Sequence, residues 1–181
     1  MSVLGIIVLV FVVVFIFIFN SLIMKRNMVD NAMALIDAFL KKRCDLIPNL
    51  VAAASQYMKH ESETLTKIAE MRSQAKSVAE KSDLDRRLTG SLRNFMVQLE
   101  AYPDLKASGN IMHLQTTLNE IEEQLAAARR TYNSAVTDFN NAIQMVPGCF
   151  FAPIMRLSKR ELFTIPEAEK ANVDVNALFK R

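Results

Sequence analysis

Tryptophan is absent from this 181-residue chain, histidine and cysteine occur twice each, glycine four times and proline five times. So few breakers suit long helices better than a sheet protein with many turns. Cys44 and Cys149 lie far apart, and neither belongs to a CxxC pair. They argue against a disulfide framework and are expected to be reduced, partly buried thiols. His60 and His113 lack the cluster of thiolates or carboxylates that a zinc site needs. His60-Glu61 opens like the HExxH helix motif, but Thr64 stands where a second histidine would grip the metal. A glycine-rich phosphate loop, a GxSxG elbow and a Cys-His pair in a catalytic context are also missing. Glu120, Glu122 and Glu123 read as a solvated helix face, since paired catalytic carboxylates need a cleft that a narrow bundle seldom offers. The expectation is a protein without cofactor, metal or catalytic site. A net charge of +3, with basic residues interleaved among acids, excludes a nucleic-acid partner as the organising theme.

Charged side chains are missing altogether from residues 1–24, and from Val3 to Leu22 Asn20 and Ser21 are the strongly polar exceptions. As a helix, 22 residues reach about 33 Å, close to the hydrocarbon thickness of a bilayer. A cleaved signal peptide is the rival reading. Three features oppose it: no Lys or Arg precedes the run, the run exceeds a typical signal core, and no small-x-small site follows. No cysteine at its end offers a lipid attachment point either. Residues 1–24 are therefore expected to be an uncleaved single span. Lys25, Arg26, Lys41, Lys42 and Arg43 lie on its C-terminal side. The positive-inside rule then puts the N-terminus outside and the body in the cytoplasm, at the plasma (inner) membrane, with anionic lipid as a neighbour of Lys25 and Arg26.

Beyond the run, apolar residues recur at helical spacing, which predicts an all-α body over residues 25–147. Val29, Ala32, Ile36, Phe39 and Leu40 follow the anchor with no linker, so span and first body helix are expected to be continuous. The pattern resumes at Ile47, Leu50, Val51 and Ala54 and runs on to Val78. Pro48 is expected to kink this segment or to begin a new helix capped by Asp45. Residues 80–83 read as a connection, with Ser82 or Asp83 capping a helix that carries Leu84, Leu88, Leu92, Phe95, Met96 and Leu99. Tyr102-Pro103-Asp104 stops it, and Asn110 is the expected cap of the next. From Ile111 to Val146 apolar residues alternate spacings of three and four for about five heptads, a seam suited to coiled-coil-like packing. Residues 46–79 are its expected antiparallel partner, with 84–101 on a third side.

The last segment, residues 148–181, is a tail whose apolar, basic first part becomes polar after Ile165. Phe150, Phe151, Arg156, Lys159 and Arg160 mark the part that packs back on the bundle, meets the membrane surface, or meets another subunit. Composition leaves these three readings open.

The stretch Leu40-Lys41-Lys42-Arg43-x-Asp45-Leu46-Ile47-Pro48-Asn49-Leu50-Val51, with Lys25-Arg26-Asn27 before it and Tyr57-x-x-His60-Glu61 after it, resembles the LemA family of bacterial membrane proteins. So do Glu100-Ala101-Tyr102-Pro103-Asp104-Leu105-Lys106-Ala107, Ala128-Arg129-x-x-Tyr132-Asn133 and Phe139-Asn140. The resemblance runs from the anchor to about residue 147. It implies a membrane helix followed by an elongated antiparallel bundle of about four long helices, without enzymatic activity. It also implies company among envelope and stress-associated membrane proteins, including membrane metalloproteases and TPM-domain proteins. The tail after Pro147 is richer in Phe and Met than that pattern.

Function is thus expected from surfaces. Asn27, Asp37, Arg43, Asp45, Asn49, Arg129, Asn133 and Asn140 lie on or beside the apolar seams. They either fix helix register or form a polar patch for a partner. Two roles compete: a self-associating scaffold or adaptor that gathers envelope proteins, and a regulatory subunit of a membrane protease or transporter that does not self-associate. Membrane lipid, a homo-oligomer and an envelope membrane protein are the expected partners.

Overall fold

The computed structural model describes residues 3–55, 57–58 and 75–163, and all regular structure among them is helical. The elements are α1 (Val3–Ser55), α2 (Val78–Leu99), α3 (Pro103–Lys106), α4 (Gly109–Gln144) and α5 (Gly148–Phe151). The chain divides into two compact units, Met1–Arg43 with Thr117–Leu162 and Cys44–Thr116 with Phe163–Arg181. Helices α1 and α4 each contribute residues to both.

Helix α1 has 53 residues, about 80 Å of helix at the standard rise. Its two parts differ in what they bury. From Val3 to Phe17 every side chain is exposed, although nearly all are apolar. This part is long and apolar enough to cross a membrane. From Leu22 onward the burial narrows to one stripe, Leu22, Val29, Ala32, Ile36 and Leu40 in the first unit and Ile47, Leu50 and Ala54 in the second. That is the spacing of an amphipathic helix packed on one side. The apolar run passes into the amphipathic one without a break, as the absence of a linker predicts.

Pro48 lies inside α1 and starts no new helix, so Asp45 is an interior residue rather than a cap. Interior proline costs about 3 kcal/mol. Here it faces outward, while its neighbours Ile47 and Leu50 are buried. Burying such side chains stabilises by about 1.5–3 kcal/mol each, enough to carry the helix through. Helix α1 ends at Ser55, short of the longer segment that periodicity predicts. The His60-Glu61-Thr64 test and the apolar positions Leu65, Ile68 and Met71 lie outside the described residues, as does the tail after Phe163.

Helix α2 starts earlier than expected. Residues 80–83 lie inside its first two turns, and the cap is Ser77. The Ser77 hydroxyl accepts from the Glu80 N–H at 3.1 Å, while a Glu80 carboxylate oxygen accepts from the Ser77 N–H at 3.2 Å, a complete capping box. Backbone donors at Lys76 and Ser77 hold the Glu80 carboxyl below its ordinary range. Asp83 pairs with Arg86 and Arg87 one turn on, and those hydrogen bonds lower its carboxyl too. Leu88, Leu92, Phe95 and Leu99 form the buried stripe. The helix stops before Tyr102-Pro103 as read, and Pro103 opens the single turn of α3. Asn110 is already inside α4; the carbonyl of Ser108 accepts from Met112 N–H to start it.

The seam of α4 buries Ile111, Leu118, Ile121, Leu125, Ala128, Tyr132, Ala135 and Phe139, and Val136 and Ile143 with them. It stops short of Val146, which is exposed beyond the helix end. Within the first unit residues 117–144 pair with the 22–43 part of α1; of the expected partner 46–79, residues 56 and 59–74 lie outside the described residues. Arg43 meets Glu122 at one end and Leu22 lies beside Gly148 at the other, so the two helices run antiparallel.

Candidate functional site

The first unit gathers three features along one antiparallel pair of helices. Farthest from the apolar run is a buried charge cluster. Arg43 projects from α1, and Glu122 and Arg129 project from α4, two turns apart on one face. Arg43 Nη1 lies 2.7 Å from Glu122 Oε2, and Arg129 Nη2 lies 3.4 Å from Glu122 Oε1. Both arginines are buried, while the Glu122 side chain keeps about a third of its surface exposed. One carboxylate thus bridges two buried guanidiniums across two helices, a geometry that fixes register.

Nearer the apolar run, α4 clamps the tail. Asn140 Nδ2 donates to the Arg160 carbonyl at 2.9 Å, and Asn140 Oδ1 accepts from the Arg160 N–H at 2.9 Å. Tyr132 Oη donates to the Glu161 carbonyl at 2.9 Å. Burial pushes the Tyr132 phenol above its ordinary range, which keeps it a donor. The Arg160 guanidinium reaches Asp30 of α1 at 3.5 Å, and Arg26 lies 3.7 Å from the same residue. Arg160 therefore ties the tail to both helices.

The third feature is the turn between α4 and the clamped segment. A Cβ on Gly148 would lie 1.9 Å from the Ala142 carbonyl oxygen, so only glycine fits this close approach. Beyond it, the Phe151 ring meets Phe15 of α1 edge-on, with centroids 5.4 Å apart, and Phe15 stacks on Phe19 at 6.3 Å. Phe150 faces outward.

Of the polar positions singled out by sequence, Arg43 and Arg129 come together through Glu122, and Asn140 joins Arg160. Asp37 and Asn133 are half-buried, and Asn27, Asp45 and Asn49 are exposed on α1. Of the tail positions, Phe151 meets Phe15 and the exposed Arg160 bonds to Asn140 and Asp30, while Phe150, Arg156 and Lys159 are exposed. Glu122, Tyr132 and Gly148 were not singled out. For Glu122 a signal existed: it adjoins the seam residue Ile121 and stands seven positions before Arg129, whereas Glu120 and Glu123 are exposed as a solvated face requires. Cys44 and Cys149 are half-buried and form no disulfide. Among the described residues no group of three His, Cys, Asp or Glu side chains is placed to hold a metal ion.

Comparison with known proteins bears on the same stretch. The model of the LemA family matches residues 32–177. Protein LemA of Metamycoplasma hominis is 32% identical over 167 residues, covering 88% of this chain and 74% of that protein. Magnetosome proteins MamQ 2 and MamQ 1 of Paramagnetospirillum magneticum are each 28% identical over 90 residues, covering 50% of this chain and 33% of theirs.

Proposed function

This chain belongs to the LemA family, and from that premise we propose that it is a non-enzymatic scaffold or adaptor, fixed in the bacterial plasma membrane by α1 and self-associating there. The observation that carries the reading is the unbroken passage of α1 from an apolar stretch exposed on all sides into a one-sided packed helix. An apolar helix whose side chains are left exposed over 15 residues belongs in lipid. Continuity with the body then holds that body at a set height and tilt. Lys25, Arg26 and the basic residues at 41–43 favour a cytoplasmic body with the N-terminus outside.

Support for self-association comes from the outer side of α1. Met24, Met28 and Leu35 are 60%, 54% and 49% exposed and share one side of the helix just beyond the apolar run. Copies confined to a membrane meet at high effective concentration, so a modest apolar stripe suffices to pair them.

Disulfide crosslinking in native membranes tests this. In full-length protein with Cys44 and Cys149 replaced by Ser and Ala, Met28→Cys and Leu35→Cys are expected to crosslink copies, and Lys41→Cys, about a third of a turn or more away round the helix, is not. Monomer at every position contradicts self-association. A stoichiometric foreign membrane protein recovered with that monomer in mild detergent would replace it with the regulatory-subunit reading.

A further inference from the structure

Residues 145–155, Met-Val-Pro-Gly-Cys-Phe-Phe-Ala-Pro-Ile-Met, contain no charged side chain. They carry the chain from the end of α4 to the clamped segment and fold against α1 inside its apolar run, because Phe151 rests on Phe15. Phe15 stands ten residues before Lys25, about 15 Å along the helix. Where α1 crosses a bilayer with Lys25 and Arg26 at the head groups, the turn therefore lies at hydrocarbon depth. Its outward side chains suit that depth. Met145, Val146, Phe150 and Ile154 are 64%, 76%, 67% and 76% exposed, and together with the exposed face of residues 3–17 they make one uncharged apolar surface. An apolar cluster of this kind is costly in water.

Five of the nine N–H groups of residues 145–155, those of Met145, Cys149, Phe150, Ala152 and Met155, donate to carbonyls of this stretch or of α4. Non-helical chain at membrane depth needs its polar groups satisfied from within. Cys149 N–H donates to Met145 O, Phe150 to Pro147, Ala152 to Gly148, Met155 to Phe151, Arg156 to Pro153 and Leu157 to Ala152, and Pro147 and Pro153 have no N–H to satisfy. Charge returns at Arg156, Lys159 and Arg160, and Arg160 pairs with Asp30, beyond Lys25 and Arg26 on the body side. Basic residues therefore collar the point where the turn leaves the apolar zone, as at a head-group boundary.

We infer that residues 145–155 form a second membrane-inserted element, a re-entrant turn that enters the body-side leaflet beside α1 and whose outward side chains Met145, Val146, Phe150 and Ile154 are covered by lipid acyl chains. The inference rests on the reading of α1 as a span and deepens it: the anchor has two parts, and the second keeps the body from swivelling about the first.

Spin labels on the full-length chain in vesicles of phosphatidylethanolamine with phosphatidylglycerol test it. Single cysteines replace Val12 in the span, Phe150 and Ile154 in the turn, and Glu123 on the body, in the background lacking Cys44 and Cys149. Collision with oxygen is compared with collision with a water-soluble nickel chelate. Labels at 12, 150 and 154 are expected to favour oxygen several-fold, and the label at 123 to favour the chelate. Water-like values at 150 and 154 with a lipid-like value at 12 overturn the turn and leave the span standing. A water-like value at 12 removes the span and the inference with it. Labels at 150 and 154 shielded from both reagents and coupled between copies would mean that a second copy covers the turn, which also overturns it.

Discussion

The unit formed by residues 1–43 and 117–162 and the unit that begins at residue 44 draw on the same two long helices, yet the polar contacts among their described residues differ. In the first, polar links join positions far apart in sequence: Arg43 with Glu122, Asp30 with Arg160, and Tyr132 and Asn140 with the backbone at 160 and 161. In the second, the ion pairs among the described residues, Asp83 with Arg86, Asp83 with Arg87 and Glu100 with Lys106, are local, the Gln115 amide meets Met96 Sδ at 3.3 Å, and an apolar set around Leu50, Leu88, Phe95 and Leu99 is buried, as is Asp85. A carboxylate shared by two guanidiniums on two helices favours one register of the pair, and this pair continues into the apolar run.

The largest expected effect probes the apolar side of this contrast. Phe95 is fully buried, so Phe95→Ala should destabilise by about 3–5 kcal/mol, read as loss of the cooperative thermal transition of the second unit. If the loss is below about 1 kcal/mol, packing does not dominate there. Next comes Glu122→Gln, which leaves Arg43 and Arg129 without their shared carboxylate. Because Glu122 is about a third exposed, the cost should be about 2–3 kcal/mol, below that of breaking a fully buried pair. Denaturant unfolding in mild detergent checks it, and salt should mask little of the loss. A neutral outcome would make the cluster incidental.

Asn140→Ala removes both hydrogen bonds to Arg160, about 1 kcal/mol each, and should free the tail before it disturbs the helices. Hydrogen exchange at residues 157–162 is the readout, with faster exchange confined there as the expected result. The smallest effect lies at the α2 cap. Ser77→Ala should cost about 1 kcal/mol. Glu80 and Asp83 have lowered carboxyl values when folded, so the stability they add is present above the ordinary carboxylate range, about pH 4, and is lost as pH falls through their folded values. Helicity should therefore decline on acidification in the parent chain and decline less in Glu80→Gln.

Features decided by neighbouring residues were legible in sequence: the uncharged run before Lys25, the three-four spacing of α4 and the stop at Tyr102-Pro103. Others depend on residues brought together by folding. Pro48 reads as a break because its cost is local, while the burial of Ile47 and Leu50 that outweighs it is not. Ser82-Asp83 looked more like a connection than Ser77 did, although Ser77 and Glu80 have the spacing of a capping box. Glu122 differs from its solvated neighbours in sequence only by its spacing to Arg129, and its closer partner Arg43 stands 79 positions earlier. The Phe-rich turn left three readings open because composition does not say against which part of the chain it folds.

If α1 holds this LemA-family body at a bilayer and pairs it with its own copies, images of the full-length protein extracted with native lipid should show several copies meeting along α1 around Met28 and Leu35, each with its helical body directly at the lipid edge. Single copies, or bodies separated from the lipid by unstructured chain, would overturn that arrangement.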